Sequence, residues 1–384
     1  MYRIVFLNSI DEVESSEWDR VTNTDYPFIK HCFLLAMEAA GATVRKSGWQ
    51  PQHLVVYNDD TMIALLPLYI KYHSYGEYVF DWAWADAYHR NGIEYYPKLL
   101  SAIPYTPSTG PRLCIQQGEK GNEIAALVAR SLKEHAIELE ASSIHLLFPQ
   151  KELYDWFVDG QYMPRIGTQF HWFNQDFSSF DDFLMIFSSR KRKNVRKERK
   201  KIQQLDLDIE TIEGADITQE LWEVFYRFYQ ATYLKRSGHG GYLTADFFKS
   251  IAKVMPDNLV MMVAYESGNP IAAALNFKDE NTLYGRYWGC EKEIEFLHFE
   301  TCYYQGIEYC IQQQLAVFDA GAQGEHKISR GFTPIVTRSN HWIAHPQFGA
   351  AIEDFLVQER EGMKRYIGDC ELQLPFKRSM GNSE

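Results

Sequence analysis

Apolar and polar positions along this chain spell out a strand-rich order that is clearest in the second half. Residues 258–265 and 271–277 read as two strands joined by the turn Ser267-Gly268-Asn269-Pro270. A third strand is expected over 282–288. Across 295–313 the apolar positions Phe296, Phe299, Tyr303, Ile307 and Cys310 recur at helical spacing, and 315–319 reads as a buried strand. A strand, a crossover helix and another strand imply parallel neighbours. Residues 331–345 read as a hairpin. Phe348, Ala351, Ile352, Phe355 and Leu356 mark a closing amphipathic helix, read as core packing rather than as a membrane or partner surface.

The first half repeats this order. Tyr162-x-Pro164 followed by His171-Trp172 is echoed by Phe332-x-Pro334 followed by His341-Trp342, 170 residues on. At the same offset, a helix-like run from Ile124 into Leu146-Leu147-Phe148 matches Ile294 into Ala316-Val317-Phe318. Further back, Val55-Val56-Tyr57 with Met62-Ile63-Ala64 matches Val263-Ala264-Tyr265 with Pro270-Ile271-Ala272 at an offset of 208. The offset changes because the first copy holds about 38 extra residues, across roughly 83–118, including the Pro- and Gly-dense run from Pro104 to Arg112. Such a run cannot continue a helix or central strand, so it is expected to form a shaped loop. A period this long means paired domains rather than a solenoid. The expected fold is α/β (α+β), a tandem duplication with a mixed, mostly antiparallel sheet in each copy. The boundary is expected near 176–182, giving domains 1–178 and 179–384.

The chain has 384 residues, a length suited to two or three domains, and its 46% hydrophobic content supplies ordinary cores. No apolar run reaches the ~18 residues needed to span a bilayer. The start, Met1 to Leu7, is shorter than a signal peptide's apolar region and runs into acidic residues. Six cysteines without CxxC spacing argue against a zinc ribbon or redox motif and read as reduced thiols; no metal site is expected. These features point to a cytoplasmic protein. The net charge of −12 hides an asymmetry: residues 190–201 hold nine basic residues and one acid, a local +8 that leaves −20 for the remainder.

Two modules in tandem, the second opened by a basic helix, resemble the FemAB-like branch of the GNAT acyltransferase superfamily, and most nearly its predicted peptidoglycan biosynthesis/recognition members. The residues that carry the resemblance are Tyr75-Gly76-Glu77-Tyr78-Val79-Phe80-Asp81, Arg196-Lys197-Glu198-Arg199, Tyr284-Gly285-Arg286-Tyr287-Trp288, Leu297-His298-Phe299-Glu300 and Gly321-Ala322-Gln323-Gly324-Glu325-His326-Lys327. The resemblance implies two GNAT-like domains and transfer of an acyl or aminoacyl group to an amine. Better-understood Fem proteins take the group from aminoacyl-tRNA and add it to a cell-wall precursor peptide. Acyl-CoA users of the superfamily carry a Gln/Arg-x-x-Gly-x-Gly/Ala loop that cradles pyrophosphate. Here Gly289-Cys290-Glu291-Lys292-Glu293 stands in its place, with one glycine and two acids, and the first copy offers only Gly118-Glu119-Lys120-Gly121.

Amide formation from an ester or thioester needs a neutral amine, a stabilised oxyanion and aligned reactants. In a GNAT-like sheet the donor lies where the strand before the crossover helix splays from the strand after it, here 282–288 against 315–319. Strand alternation puts Tyr284, Arg286 and Trp288 on one face, suited to a planar or anionic substrate group or to a structural salt bridge. Glu300 in the first helical turn is either an acid favoured by the helix dipole or a general base facing the splay. His298 and His326 compete for that role. Residues 321–330 follow a buried strand, and Gly324, Glu325, His326, Lys327 and Arg330 crowd charge onto glycine-rich backbone able to meet a carboxylate or oxyanion. Glu300, His326 and Lys327 are the catalytic candidates. Tyr284, Arg286, Trp288, Gly324 and Arg330, with Asp86 and Arg112 near the first-copy insertion, are the substrate-contact candidates.

In the basic helix Arg192, Arg196 and Arg199 share one face and Lys193, Lys197 and Lys200 another. Against an acidic body these residues are candidate tRNA contacts, although a charge run is also ordinary solvated surface. The leading reading is an aminoacyl- or acyltransferase acting on an amine, with the donor, aminoacyl-tRNA or acyl-CoA, in the second copy. No tightly held cofactor is assigned. The alternatives are an acyl-CoA-dependent N-acyltransferase, and a non-catalytic duplicate that binds cell-wall peptide or RNA.

Overall fold

The computed structural model describes residues 2–322 and 324–377; Gln323, within the glycine-rich turn singled out above, lies outside the described residues. The first half of the chain forms β1 (Tyr2–Leu7), β2 (Trp49–Pro51), β3 (His53–Asn58), β4 (Thr61–Leu66), β5 (Tyr69–Lys71), β6 (Lys98–Ser101), β7 (Cys114–Ile115), β8 (Ser143–Leu147) and β9 (Met163–Phe173). The second half forms β10 (Leu207–Glu213), β11 (Leu259–Glu266), β12 (Asn269–Lys278), β13 (Thr282–Cys290), β14 (Val317–Asp319) and β15 (Thr333–Ile343). Among the described residues no helix is long and apolar enough to cross a membrane.

Contacts group these elements into two units that do not follow a single cut in the sequence. One holds the residues up to Gly167 together with Tyr242–Phe247 and Val336–Arg365; the other holds Thr168–Gly241, Phe248–Ile335 and the described residues from Tyr366 onward. Each unit therefore ends its ladder on a strand from the other half of the sequence. The division at 178/179 remains a proposal about the ancestry of the two copies.

In the second unit β10, β11, β12 and β13 pair antiparallel in order, β13 and β14 pair parallel, and β14 pairs antiparallel with the end of β9. The crossover between β13 and β14 is the expected helix, running from Leu297 to Gln313 with a π-helical turn over Glu300–Tyr304. It packs Tyr303, Tyr304 and Ile307 against Phe318, Trp172, Phe183 and Phe332 in one buried apolar cluster.

The first unit follows the same plan. β1, β3, β4 and β7 pair antiparallel, as do β2, β5 and β6; β6 pairs parallel with β8, and β8 antiparallel with the end of β15. The helix Gly121–Glu138 crosses between them and buries Ile124, Val128 and Leu132 against Leu99, Ile144 and Leu146. The insertion has a definite task. Gly110 bridges in parallel to Pro149 just beyond β8, and its N–H donates to the Phe148 carbonyl at 3.1 Å. Arg112, fully buried, donates to the carbonyls of Leu147 (2.9 Å) and Ser108 (2.7 Å). The loop thus fills the gap where β6 and β8 would otherwise part.

The other face of this sheet is polar and sealed. Lys71 and Lys98 lie opposite each other across β5 and β6. Lys98 Nζ donates to Glu77 (2.8 Å), Ser74 (2.8 Å) and Asp81, all of them buried. Burial pulls Lys71 down to about 6 and pushes Glu77 up to about 7. For Asp81 burial also works upward, but the Lys98 ammonium outweighs it and holds the carboxyl well below its usual range. Nearby, His145 Nδ1 and His341 Nδ1 meet at 2.6 Å, each ring also bonded at Nε2 to a serine at 2.8 Å. Burial keeps both imidazoles neutral, His145 at about 3.

Two details support duplication. The β3–β4 register slips at Val56/Tyr57 and the β11–β12 register at Ala264/Tyr265, the 208-residue offset read from the sequence. Trp172 and Trp342 occupy corresponding places, each one residue past a histidine on the closing strand. Their partners are Phe318 and Ile144, so the sequence match of 146–148 to 316–318 is four residues out of register. Apolar β-runs look alike at every step, and only pairing distinguishes them. The expected hairpin over 331–345 is instead the single strand β15. Its two ends are claimed by different ladders: Thr333 Oγ1 donates to the His171 carbonyl, while 339–343 pairs with β8.

The Lys98 cluster yields a prediction. Lys98→Met leaves Glu77 and Asp81 buried with their main cation gone, and should cost roughly 3–5 kcal/mol in denaturant melts. Arg90→Met, which removes an exposed pair with Asp86, should leave the melt almost unchanged.

Candidate transfer site in the second unit

β13 and β14 are hydrogen-bonded only over Thr282–Val317, Leu283–Phe318 and Tyr284–Asp319. Beyond that step β13 is bulged: Leu275 opposes Tyr287 and Asn276 opposes Gly285, leaving Arg286 as the extra residue. The expected splay is therefore present, and Arg286 sits at its mouth. Arg286 Nη2 donates to Asp319 Oδ2 at 2.5 Å, both side chains being almost fully buried. Asp319 Oδ1 accepts the Gly321 N–H at 2.9 Å, and His171 Nε2 lies 3.6 Å from the same oxygen. Lys327, buried, donates from Nζ to the Gly321 carbonyl at 2.6 Å. Burial lowers its pKa to about 8, with Asp319 pulling upward and Arg286 downward. Burial likewise keeps His171 below its ordinary value.

A second group lies on the crossover helix and the 3-10 turn Glu325–Arg330. Tyr303 Oη and His326 Nε2 are 2.9 Å apart. The His326 ring packs on Phe299 and near His298, and Trp288 meets His298 edge-on at 5.3 Å. Arg330 lies 3.5 Å above the Phe299 ring, donates to the His326 carbonyl, and is held at its other end by Glu198 of the basic helix Ser189–Gln203. Burial, then the surrounding cations, lower His326 to about 4 and His298 to about 3. Both are neutral at pH 7. Gly324 has φ +114°, and a Cβ there would fall 2.4 Å from the His326 ring, so only glycine lets the ring lie against the turn.

The structure brings Arg286 and Lys327 together around Asp319, and His326, Gly324 and Arg330 around Tyr303 and Phe299. Other expected residues go elsewhere. Trp288 does not share a face with Tyr284 and Arg286, because the bulge breaks alternation and turns it toward His298 and the crossover helix. Tyr284 lies beside Arg286, but its hydroxyl donates to Asp279 at 2.5 Å. Glu300 is not a free base: its carboxylate accepts from Arg199 (2.7 Å) and Gln305 (2.9 Å). Arg199, which also pairs with Glu308, is thereby committed to the protein rather than to a nucleic acid. Lys193 and Lys197 are exposed; Arg196 meets Asp181 at the surface and Arg192 reaches Met185. In the first unit, Asp86 lies on the surface of the helix Trp82–Arg90, paired with Arg90, and Arg112 is a buried staple bonded to backbone carbonyls.

Sequence reasoning passed over Asp319, His171, Tyr303 and Glu198. His171 had a signal in the repeated His-Trp pair. Asp319 had only its place at the end of an apolar run, and Glu198 was hidden as the single acid of a basic strip. The segment 289–293, at the end of β13, has one glycine and two acids, and two of its charged side chains are paired at the surface, Lys292 with Glu266 and Glu293 with Lys235. Among the described residues no group of His, Cys, Asp or Glu side chains is arranged to hold a metal ion.

Comparison with known proteins places this architecture. No curated protein sequence matches the chain. Among solved structures, the C-terminal domain (DUF2156) of a putative lysylphosphatidylglycerol synthetase from Agrobacterium fabrum superposes with a TM-score of 0.53 at 10% identity, covering 91% of this chain and 97% of that one. FemX superposes at 0.50 with 13% identity, over 82% of this chain and 93% of its own. A tandem GNAT protein from the clavulanic acid biosynthesis pathway gives 0.48 at 10% identity, over 90% and 99%. The profile of the FemAB-like family, described as peptidoglycan biosynthesis/recognition, matches residues 9–378. With that match running through both units, the chain belongs to the FemAB-like family.

Proposed function

We propose that this chain moves an acyl or aminoacyl group onto the amine of a cell-wall precursor peptide, at the splay of the second unit. The observation that carries the reading is the end of the β13–β14 ladder with a buried, partly neutralised lysine beside a neutral histidine. An acyl carbonyl entering between β13 and β14 meets the Lys327 ammonium, which stabilises the oxyanion formed as the amine attacks. His326 Nε2, already within hydrogen-bond distance of the Tyr303 hydroxyl, supplies a neutral base through which the amine's proton can leave. Collapse of the tetrahedral intermediate forms the amide and expels the donor's alcohol or thiol, which takes up a proton. In the first unit the matching gap is filled by Gly110 and Arg112, which supports a single transfer site per chain.

Aminoacyl-tRNA is the donor this reading favours. The segment 289–293 has one glycine and two acids where acyl-CoA users carry a glycine-rich loop, and the basic helix presents Arg192, Lys193, Arg196 and Lys197 outward while Glu198 and Arg199 tie it to the site. Incubating the protein with labelled aminoacyl-tRNA or acetyl-CoA and a precursor peptide bearing a free amine tests the idea. Label should appear as an amide from tRNA; transfer from acetyl-CoA alone would reverse the choice of donor, and transfer from neither would remove the enzymatic reading.

Lys327 is charged below about pH 8 and neutral above it, so turnover that depends on its ammonium should fall as pH rises through about 8. Lys327→Arg should retain that limb to higher pH, and Lys327→Met should lower turnover by about 10²–10³. A pH profile of kcat for the three proteins measures both effects.

Each phosphate neutralised by the basic helix should steepen the slope of log affinity against log salt by roughly 0.7–0.9. Changing Arg192, Lys193, Arg196 and Lys197 to Gln should flatten the slope for fluorescent tRNA by about 2–4 units, with little change in melting temperature. Equal slopes for the two proteins would return the helix to ordinary solvated surface.

A further inference from the structure

Asp319 is almost fully buried at the point where the β13–β14 ladder ends, and each of its oxygens has a separate task. Oδ2 takes the Arg286 guanidinium, the extra residue of the bulge. Oδ1 takes the N–H of Gly321, which adopts φ +88°, and the carbonyl of that same glycine receives Lys327 Nζ. The carboxylate is therefore two hydrogen bonds from the ammonium at the mouth of the splay. It also supplies the negative charge facing Lys327, alongside Arg286, the neutral His171 ring and the Cys302 thiol. Surface turns of this length do not need a buried carboxylate to close. A carboxylate that pins both the bulge and the turn fixes where Lys327 stands relative to β13.

We propose that Asp319 is a positioning residue for transfer, holding the Gly321 turn and Arg286 so that the Lys327 ammonium is delivered to the opening between β13 and β14. The proposal rests on the transfer reading above, and extends it to a residue that touches no substrate itself. Asp319 acts through Lys327, and the two kinds of change at this position separate its two contributions. Asparagine keeps an acceptor for the Gly321 N–H and loses the charge. Alanine loses both, which frees the turn and lets Lys327 reach water.

The test is an NMR titration of lysine Cε groups in the full-length protein, with the Lys327 signal assigned by its absence in Lys327→Arg. The wild-type midpoint should lie near 8. Asp319→Asn should move it down by about one to two pH units, since the charge opposing Arg286 is gone. Asp319→Ala should move it up toward the ordinary lysine value of about 10.4, as the released side chain becomes solvated. If the aspartate variants do not fold, Arg286→Gln provides the second arm, and its midpoint should rise. An unmoved midpoint in whichever folded variant is measured, within about 0.3 unit, overturns the proposal. Because the titration needs no substrate, its failure and the failure of the transfer reading are separate results: opposite shifts in a protein that transfers nothing would leave the positioning intact, and unmoved midpoints in an active enzyme would remove only Asp319's role.

Discussion

The buried Arg286–Asp319 ion pair governs the architecture of the second unit's splay. Taking two charges out of water carries a penalty of several kcal/mol for each ion, offset only when the geometry is good and the remaining lone pairs are satisfied. Here the offset comes from the direct pair, the Gly321 N–H and the adjacent His171. Each of these partners is placed by the same event, the end of a parallel ladder after three steps. The bulge that ends the ladder projects Arg286, the last strand residue is Asp319, and the turn that follows delivers Lys327. Removing Arg286 or Asp319 leaves the other's charge buried without its direct ion-pair partner.

The two units apply one plan to opposite ends. In the first, the position of the Asp319–His171 pair is taken by His145 and His341, two neutral rings locked by serines. The gap beyond β8 is filled by the insertion, whose Arg112 satisfies backbone carbonyls rather than a ligand. Four buried ionisable groups, Lys71, Glu77, Asp81 and Lys98, cancel one another on the polar face. The first unit is thus closed by its own side chains, while in the second the corresponding ladder ends beside a lysine bonded to the Gly321 carbonyl and a histidine bonded to Tyr303.

The basic helix links surface charge to this opening. Its outward residues face solvent, yet Glu198 bonds both Tyr304 and Arg330, and Arg199 bonds Glu300 and Glu308. The helix is held as much by its single acid as by its many bases, because Glu198 meets Arg330 where a lysine would repel it. Arg330 in turn lies on Phe299 and holds the carbonyl of His326. A polyanion docked on the outer face would therefore rest on an element already bonded to the Glu325–Arg330 turn.

Much of the fold was legible in the sequence, because repetition and periodicity are local properties. The duplicated order of strands, the crossover helix, the extra loop and the splay between 282–288 and 315–319 all follow from which residues recur at which spacing. The crowding of Lys327 and His326 on glycine-rich backbone was legible in the same way. Pairing and partnership were not legible. A bulge depends on what the neighbouring strand does, so only the tertiary structure could part Trp288 from Arg286 or make Arg286 the odd residue. Whether a carboxylate is a base or an anchor depends on who stands opposite, and Arg199, 101 residues away, decided it for Glu300. The closing strands of the units are exchanged between the halves of the chain, a fact set by long-range ladder formation and invisible to any local pattern. What the sequence determined by itself was the set of elements and the chemistry available. What only the tertiary structure decided was which charges meet, because Coulomb and hydrogen-bond energies depend on distances in space that chain separation does not encode.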